Sequence, residues 1–161
     1  MRFNGIALFA GAALLAACGG GESAPADTAA APAPEVAPAA AAGTATPAPI
    51  TGTTHTVNMV GDDKGYRYEP ATLTVAPGDG VTFVMISGGP HNVAFDAATI
   101  PEAAKAQLAA NMPTSADFSS PMFMNANEAW TVSLGNIPAG TYSIFCTPHL
   151  AMGMKMELIV K

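Results

Sequence analysis

The chain changes character at residue 54, and that break limits what it can fold into. From Gly19 to Thr53 it is almost entirely Ala, Pro, Thr and Gly, with Glu22, Asp27 and Glu35 as its only charges. The stretch has no aromatic residue, and Val36 and Ile50 are its only larger aliphatics, so it cannot bury a core. Disorder is expected there, with six prolines biasing it toward extended conformations. At ~3.1 Å per residue, these 35 residues would reach on the order of 100 Å and serve as a tether.

Residues 54–161 read differently. Short runs rich in Val, Ile, Thr and aromatics occur at 55–60, 72–75, 81–86, 91–95, 128–134, 141–145 and 156–160. Turn residues separate several of them: Ala76-Pro77-Gly78-Asp79-Gly80, Gly88-Gly89-Pro90 and Pro138-Ala139-Gly140. Period-2 alternation puts Trp130, Val132 and Leu134 on one face of their strand. It does the same for Met154, Met156, Leu158 and Val160. One helix is expected over 101–110, "PEAAKAQLAA", with Pro101 in its first turn. This pattern predicts an all-β, Greek-key sandwich with one short helix.

The N-terminus has a different task. Arg2 followed by an apolar run from Ile6 to Leu15 has the form of an export signal, too short to span a bilayer as a stable helix. Its end, Leu15-Ala16-Ala17-Cys18, resembles the lipobox of bacterial lipoproteins. The resemblance implies a signal peptide at 1–17 and a lipidated Cys18 at the head of the tether. Acyl chains would hold the chain on a membrane surface of the cell envelope, on its periplasmic or other extracytoplasmic face. An ordinary signal peptide with a cysteine at its cleavage site is the alternative. With 12 acids against 6 bases and a net charge of −6, the chain has no basic patch for phosphates, which argues against nucleic acid as a partner.

If Cys18 carries lipid, Cys146 is left as a lone thiol in an oxidising compartment. Cys146 and His149 alone are a weak signal, since a buried thiol beside a histidine is common in cores. Met154 follows where the last strand begins, and His91 opens an upstream strand after a Gly-Pro turn. A sandwich can bring these strand ends to one pole. His91, Cys146, His149 and Met154 are then a candidate ligand set, and two imidazoles, a thiolate and a weak thioether suit copper electron transfer. Zinc is the rival metal, but closed zinc sites favour further thiolates or a carboxylate over methionine. Pro90 and Pro148 restrict the backbone beside the two histidines.

The loop "CTPHLAMGM" resembles the copper loop of pseudoazurins, while "GTYSIFCTPH" and "GGPHNVAFD" resemble plastocyanin. "GYRYEPATLTVAPGDGVTF" is similar to the early strands of both. The resemblance covers roughly residues 55 to 161. It implies a cupredoxin fold holding one type 1 copper on His91, Cys146, His149 and Met154. It further implies that Asn92 sends its backbone N–H to the Cys146 sulfur and joins Thr147 across two loops. Pro148, having no N–H, would withhold a further bond from that sulfur. Leu150, Ala151 and Met152 would form an apolar collar around the edge of His149, the port for a redox partner. The segment 109–127 is longer than the resemblance leads one to expect.

On this basis the chain is expected to be a monomeric blue copper electron carrier passing single electrons between redox proteins, and not an enzyme. A lipoprotein that stores or delivers copper is the alternative, for which Met122, Met124, Met152 and Met156 could form a Cu(I) relay. A copper oxidase or nitrite reductase would need further histidines and another domain. A Cys146–His149 nucleophile pair lacks an orienting Asn or Asp. His55 is expected at a surface or edge, and Asp62, Asp63, Glu69 and Asp79 as solvated turn charges.

Overall fold

A computed structural model of the chain describes residues 45–112 and 114–161. The signal segment, Cys18 and the first part of the tether lie outside the described residues. The elements are β1 (Thr54–Asp62), β2 (Gly65–Glu69), β3 (Thr72–Val75), β4 (Gly80–Met85), β5 (Ala94–Phe95), α1 (Glu102–Asn111), β6 (Ala129–Ser133), β7 (Gly140–Phe145) and β8 (Lys155–Val160). They form two four-stranded sheets, β2-β1-β4-β6 and β3-β8-β7-β5. Each sheet contains one parallel pair, β1 with β4 and β3 with β8, among antiparallel neighbours. The all-β sandwich with one helix is thus the observed architecture.

The core lies between the sheets, where period-2 alternation aims alternate residues inward. Val57, Met59, Val81, Phe83 and Val132 come from one sheet, and Tyr142, Ile144, Met156, Leu158 and Val160 from the other. All ten are buried, and closing this interface is the main drive to fold. Trp130 is half-buried in phase with Val132, as the alternation requires.

Strand β2 is an addition to the seven expected. Asp62 accepts the Lys64 N–H at 2.9 Å, and Gly65 at φ 101 supplies the left-handed residue of a tight hairpin. Charge at Arg67 and Glu69 hides the strand in the sequence, yet Tyr66 and Tyr68 alternate with them. Arg67 is not idle. It grips Asp62 through two nitrogens at 2.7 and 2.9 Å and Glu69 at 2.6 Å, and the Arg67 hydrogen bonds hold the Asp62 carboxyl down at about 2. Strand β5 is shorter than expected, because Val93 exchanges hydrogen bonds with Ser120 instead of continuing the ladder with β7.

Two readings need correction. Asp79 is not a solvated turn charge: it is 6% exposed, and its carboxylate accepts from Thr53 N–H at 2.8 Å and Ala76 N–H at 3.0 Å. It also meets His55 Nε2 at 2.8 Å, so His55 has a structural partner. Those bonds, with the Ala76 N–H foremost, hold the Asp79 carboxyl below its usual range. Disorder also does not extend to residue 53. Thr51 and Gly52 N–H both donate to Gly78 O at 2.9 Å, and Gln107 Nε2 donates to Thr46 O at 3.0 Å. Hydrogen bonds to the strap's backbone, from main chain and side chains alike, dock it, and composition does not reveal them.

Asn111 at the end of α1 fastens the strap from inside. Its Oδ1 accepts Ala48 N–H at 2.9 Å, and its Nδ2 donates to Ser133 O and Gly135 O at 2.9 and 3.0 Å. Removing it strands three backbone groups, at ~1–3 kcal/mol for each one left unpaired. Asn111→Ala is expected to lower the unfolding free energy by about 2–4 kcal/mol in urea denaturation, given partial relaxation. Gln107→Ala, at a half-buried position, should cost under about 1 kcal/mol.

Candidate metal centre

Strand β7 buries Tyr142 and Ile144, and Cys146 continues that inward phase beyond the strand end. Strand β8 buries Met156, Leu158 and Val160, and Met154 continues the same phase backwards, fully buried. The connection between them closes on itself. Cys146 N–H donates to Met154 O at 3.1 Å, while His149 N–H and Met154 N–H donate to Cys146 O and His149 O, both at 3.2 Å. A 3₁₀ turn over Leu150–Met152 ends at Gly153, whose φ of 84° is the left-handed conformation that makes the return possible.

His91 lies ahead of β5, the edge strand that pairs with β7 in the same sheet. Its backbone exchanges hydrogen bonds with Phe123, N–H to O at 3.1 Å and O from N–H at 2.8 Å. Its Nε2 lies 2.8 Å from Ser87 O. A carbonyl only accepts, so Nε2 carries the proton and Nδ1 keeps a free lone pair. That Nδ1 is 3.6 Å from Cys146 Sγ and 3.2 Å from His149 Nδ1, and the sulfur is 3.4 Å from His149 Nδ1. Two imidazole nitrogens and a sulfur therefore face one another at the corners of a small triangle, all three residues buried.

The protonation states fit a metal at that triangle. Burial holds both imidazoles below their ordinary range, and the neighbouring His91 adds to the effect on His149. Neutral rings present lone pairs to a metal. Burial pushes the Cys146 thiol up, opposed by hydrogen bonding from the backbone N–H groups of Asn92 and His149. Metal binding must displace that proton. The mixed nitrogen and sulfur donors are the chemistry that copper favours, and buried Met154 ends the loop that carries Cys146 and His149.

Asn92 joins the two loops. Its Oδ1 accepts Thr147 N–H at 2.7 Å, and its Nδ2 donates to Thr147 Oγ1 at 3.0 Å. Pro148 gives the sulfur no N–H, but the His149 N–H acts on it alongside that of Asn92. Leu150 is 40% and Met152 59% exposed, Ala151 is exposed, and His149 itself is buried. Met122 and Met124 are exposed on either side of Phe123, whereas Met156 belongs to the core.

Three supports were not legible. Ser119 and Ser120 accept from Asn92 Nδ2 and Val93 N–H at 2.8 and 2.9 Å, so the long 109–127 segment braces the His91 strand. Tyr66 stacks on His149 with ring centroids 3.7 Å apart and planes 11° from parallel. Ser87, which orients His91, stands just ahead of the Gly88-Gly89-Pro90 turn. The polar residues beside each candidate ligand were the available signal, but Ser119 and Ser120 lie 27 residues from their partners and Tyr66 lies 83 from His149, separations that one sequence does not pair.

Copper-loaded Cys146→Ser is expected to lose its visible absorption, because that transition begins on the thiolate. Met154→Gln should keep the colour and lower the reduction potential, a softer donor having been replaced by oxygen. Absorption spectra and voltammetry of the two variants check both outcomes.

Comparison with known proteins agrees with this geometry. Residues 55–161 match the profile of the copper binding proteins of the plastocyanin/azurin family. Plastocyanin A/B of Petroselinum crispum is 35% identical over 105 residues, covering 65% of this chain and 97% of the relative. Plastocyanin of Prochlorothrix hollandica is 36% identical over 114 residues, covering 71% of this chain and 78% of the relative. A mutant plastocyanin of fern superposes with a TM-score of 0.50 at 28% identity, over 66% of this chain and 100% of the fern chain. With fold, donor triangle and sequence in accord, the chain belongs to the plastocyanin/azurin family of copper-binding proteins.

Proposed function

We propose that this chain is a type 1 copper electron carrier, held in the bacterial cell envelope by lipid on Cys18 and exchanging single electrons between redox proteins as a monomer. One observation carries the reading: the two Nδ1 atoms and the Cys146 sulfur converge at 3.2–3.6 Å. His91, Cys146 and His149, with Met154 on the same loop, would hold copper, which would supply the one-electron chemistry.

The protein's part is to hold those donors still. Ser87 O fixes one ring, the Asn92–Thr147 pair ties the two loops, and the Cys146–Met154 backbone bond closes the site. A donor set that does not rearrange lets an electron come and go with little structural change. Relatives in this family are electron carriers and not enzymes. The test is the optical spectrum of the purified chain after copper addition, followed by reductive and oxidative titration. An intense thiolate band that bleaches and returns with one electron is expected. A colourless protein that takes only Cu(I) and yields it to a competing chelator would establish storage or delivery instead.

Exposed Leu150 and Met152 beside a buried His149 support a docking role, since apolar patches ringed by polar surface mark contact sites. The domain from Thr54 carries nine acids and five bases, so charge tunes the encounter without defining the contact. Met152→Glu is expected to slow electron exchange with a redox partner while leaving the copper spectrum nearly unchanged. Thr131→Glu, on the outer face of β6, should slow it less. Stopped-flow rates at matched ionic strength decide between them.

Lipidation rests on the sequence around Cys18. No helix among the described residues is long and apolar enough to cross a membrane. Cys18→Ala is expected to release the domain from membranes, or to leave an unprocessed precursor, with the copper spectrum intact. Fractionation and mass measurement of the N-terminus read the outcome.

A further inference from the structure

The two histidines of the centre are held in unlike ways. His91 has its distal nitrogen anchored on Ser87 O at 2.8 Å. Among the described residues, no hydrogen bond is found to Nε2 of His149; only its Nδ1 has polar neighbours. A ligating histidine ordinarily has its far nitrogen bonded, which fixes the ring plane. His149 needs another device.

Tyr66 lies where such a device would act. Its ring is nearly parallel to the His149 imidazole, at 3.7 Å and 11°, whereas it meets His91 edge-on at 6.1 Å and 69°. Tyr66 pairs in register with Gly61 across the β1–β2 hairpin. A Cβ on Gly61 would fall 2.7 Å from both Cδ1 and Cε1 of Tyr66, so the ring occupies space that only glycine leaves open. The same Gly61 donates its N–H to Ser87 O at 2.9 Å and accepts from Ser87 Oγ at 3.0 Å. One glycine therefore seats the residue that stacks on His149 and the residue that anchors His91.

We propose that Tyr66 is a positioning residue for the metal centre: seated over Gly61, its ring fixes the imidazole plane of His149 by stacking, in place of a hydrogen bond to the far nitrogen. The proposal rests on His149 being a copper ligand, but its first test does not. The metal-free full chain, labelled at histidine, is compared by NMR with Tyr66→Leu and Tyr66→Phe. The His149 ring protons should be shifted upfield by the stacked tyrosine, remain so in Tyr66→Phe and lose that shift in Tyr66→Leu. His91 protons, facing a ring edge, should move much less. Unchanged His149 shifts in Tyr66→Leu would overturn the proposal.

The second arm uses the copper-loaded chain. Tyr66→Leu should displace the reduction potential and slow electron exchange several-fold, and Tyr66→Phe should restore both toward wild type. A wild-type potential in Tyr66→Leu would show that the ring only packs, and would overturn the positioning role. Gly61→Ala keeps the tyrosine but fills its seat, and should reproduce the Tyr66→Leu loss of the ring shift. Should Gly61→Ala fail to fold, the Tyr66 variants still decide the matter. Failure of the wild-type chain to form a coloured copper site would count against the electron-carrier reading and leave the metal-free comparison standing.

Discussion

The backbone hydrogen bond from Cys146 to Met154, 3.1 Å long, continues the β7–β8 ladder one step past the strand ends. Everything at the site depends on that register. It places the sulfur and the thioether on the same inward phase as the core residues behind them. A shift of one residue would turn both to solvent, because side chains alternate with a period of two. The penalty of such a slip is spread over Ile144, Met156, Leu158 and Val160 as well, so the hydrophobic core holds the ligands in phase. The site is rigid because the sandwich is.

His91 enters by a less regular route. It lies outside any full strand, paired only at a single bridge with Phe123. Side-chain hydrogen bonds take the place of a ladder here: Asn92 to Thr147 and Ser119, and Val93 to Ser120. Buried polar networks of this kind hold well when every member is satisfied. The long segment after α1 therefore replaces a neighbouring strand with a set of directed bonds.

Much of this could be read from residues alone. Alternation over Trp130–Leu134 and Met154–Val160 located the two faces, and Pro101 with an alanine-rich run located α1 within a residue or so. His91, Cys146 and His149 stood out because the chain has only two cysteines and three histidines, and Met154 because it follows them where the last strand begins. Asp79 did not stand out, since a carboxylate in a Pro-Gly-Asp-Gly turn looks solvated until its partners Thr53, Ala76 and His55 are in view. Strand β2 was obscured by Arg67 and Glu69, whose charges are neutralised by ion pairing on an exposed edge. For Asp79 the hidden partners Thr53 and His55 lie 26 and 24 residues away, a separation that local pattern does not specify.

The strap ahead of β1 has a mechanical meaning. Tension applied to the chain at residue 45 would not reach the β1–β4 ladder first. It would be borne by the contacts of Thr46, Ala48, Thr51, Gly52 and Thr53 with Gln107, Asn111, Gly78 and Asp79. Because β1 lies inside its sheet, with β2 on one flank and β4 on the other, peeling it would disturb Gly61 and the turn at Ser87. The strap thus works as a strain relief, like the clamp on a cable: a pull on the leash loosens the clamp before it moves the contact.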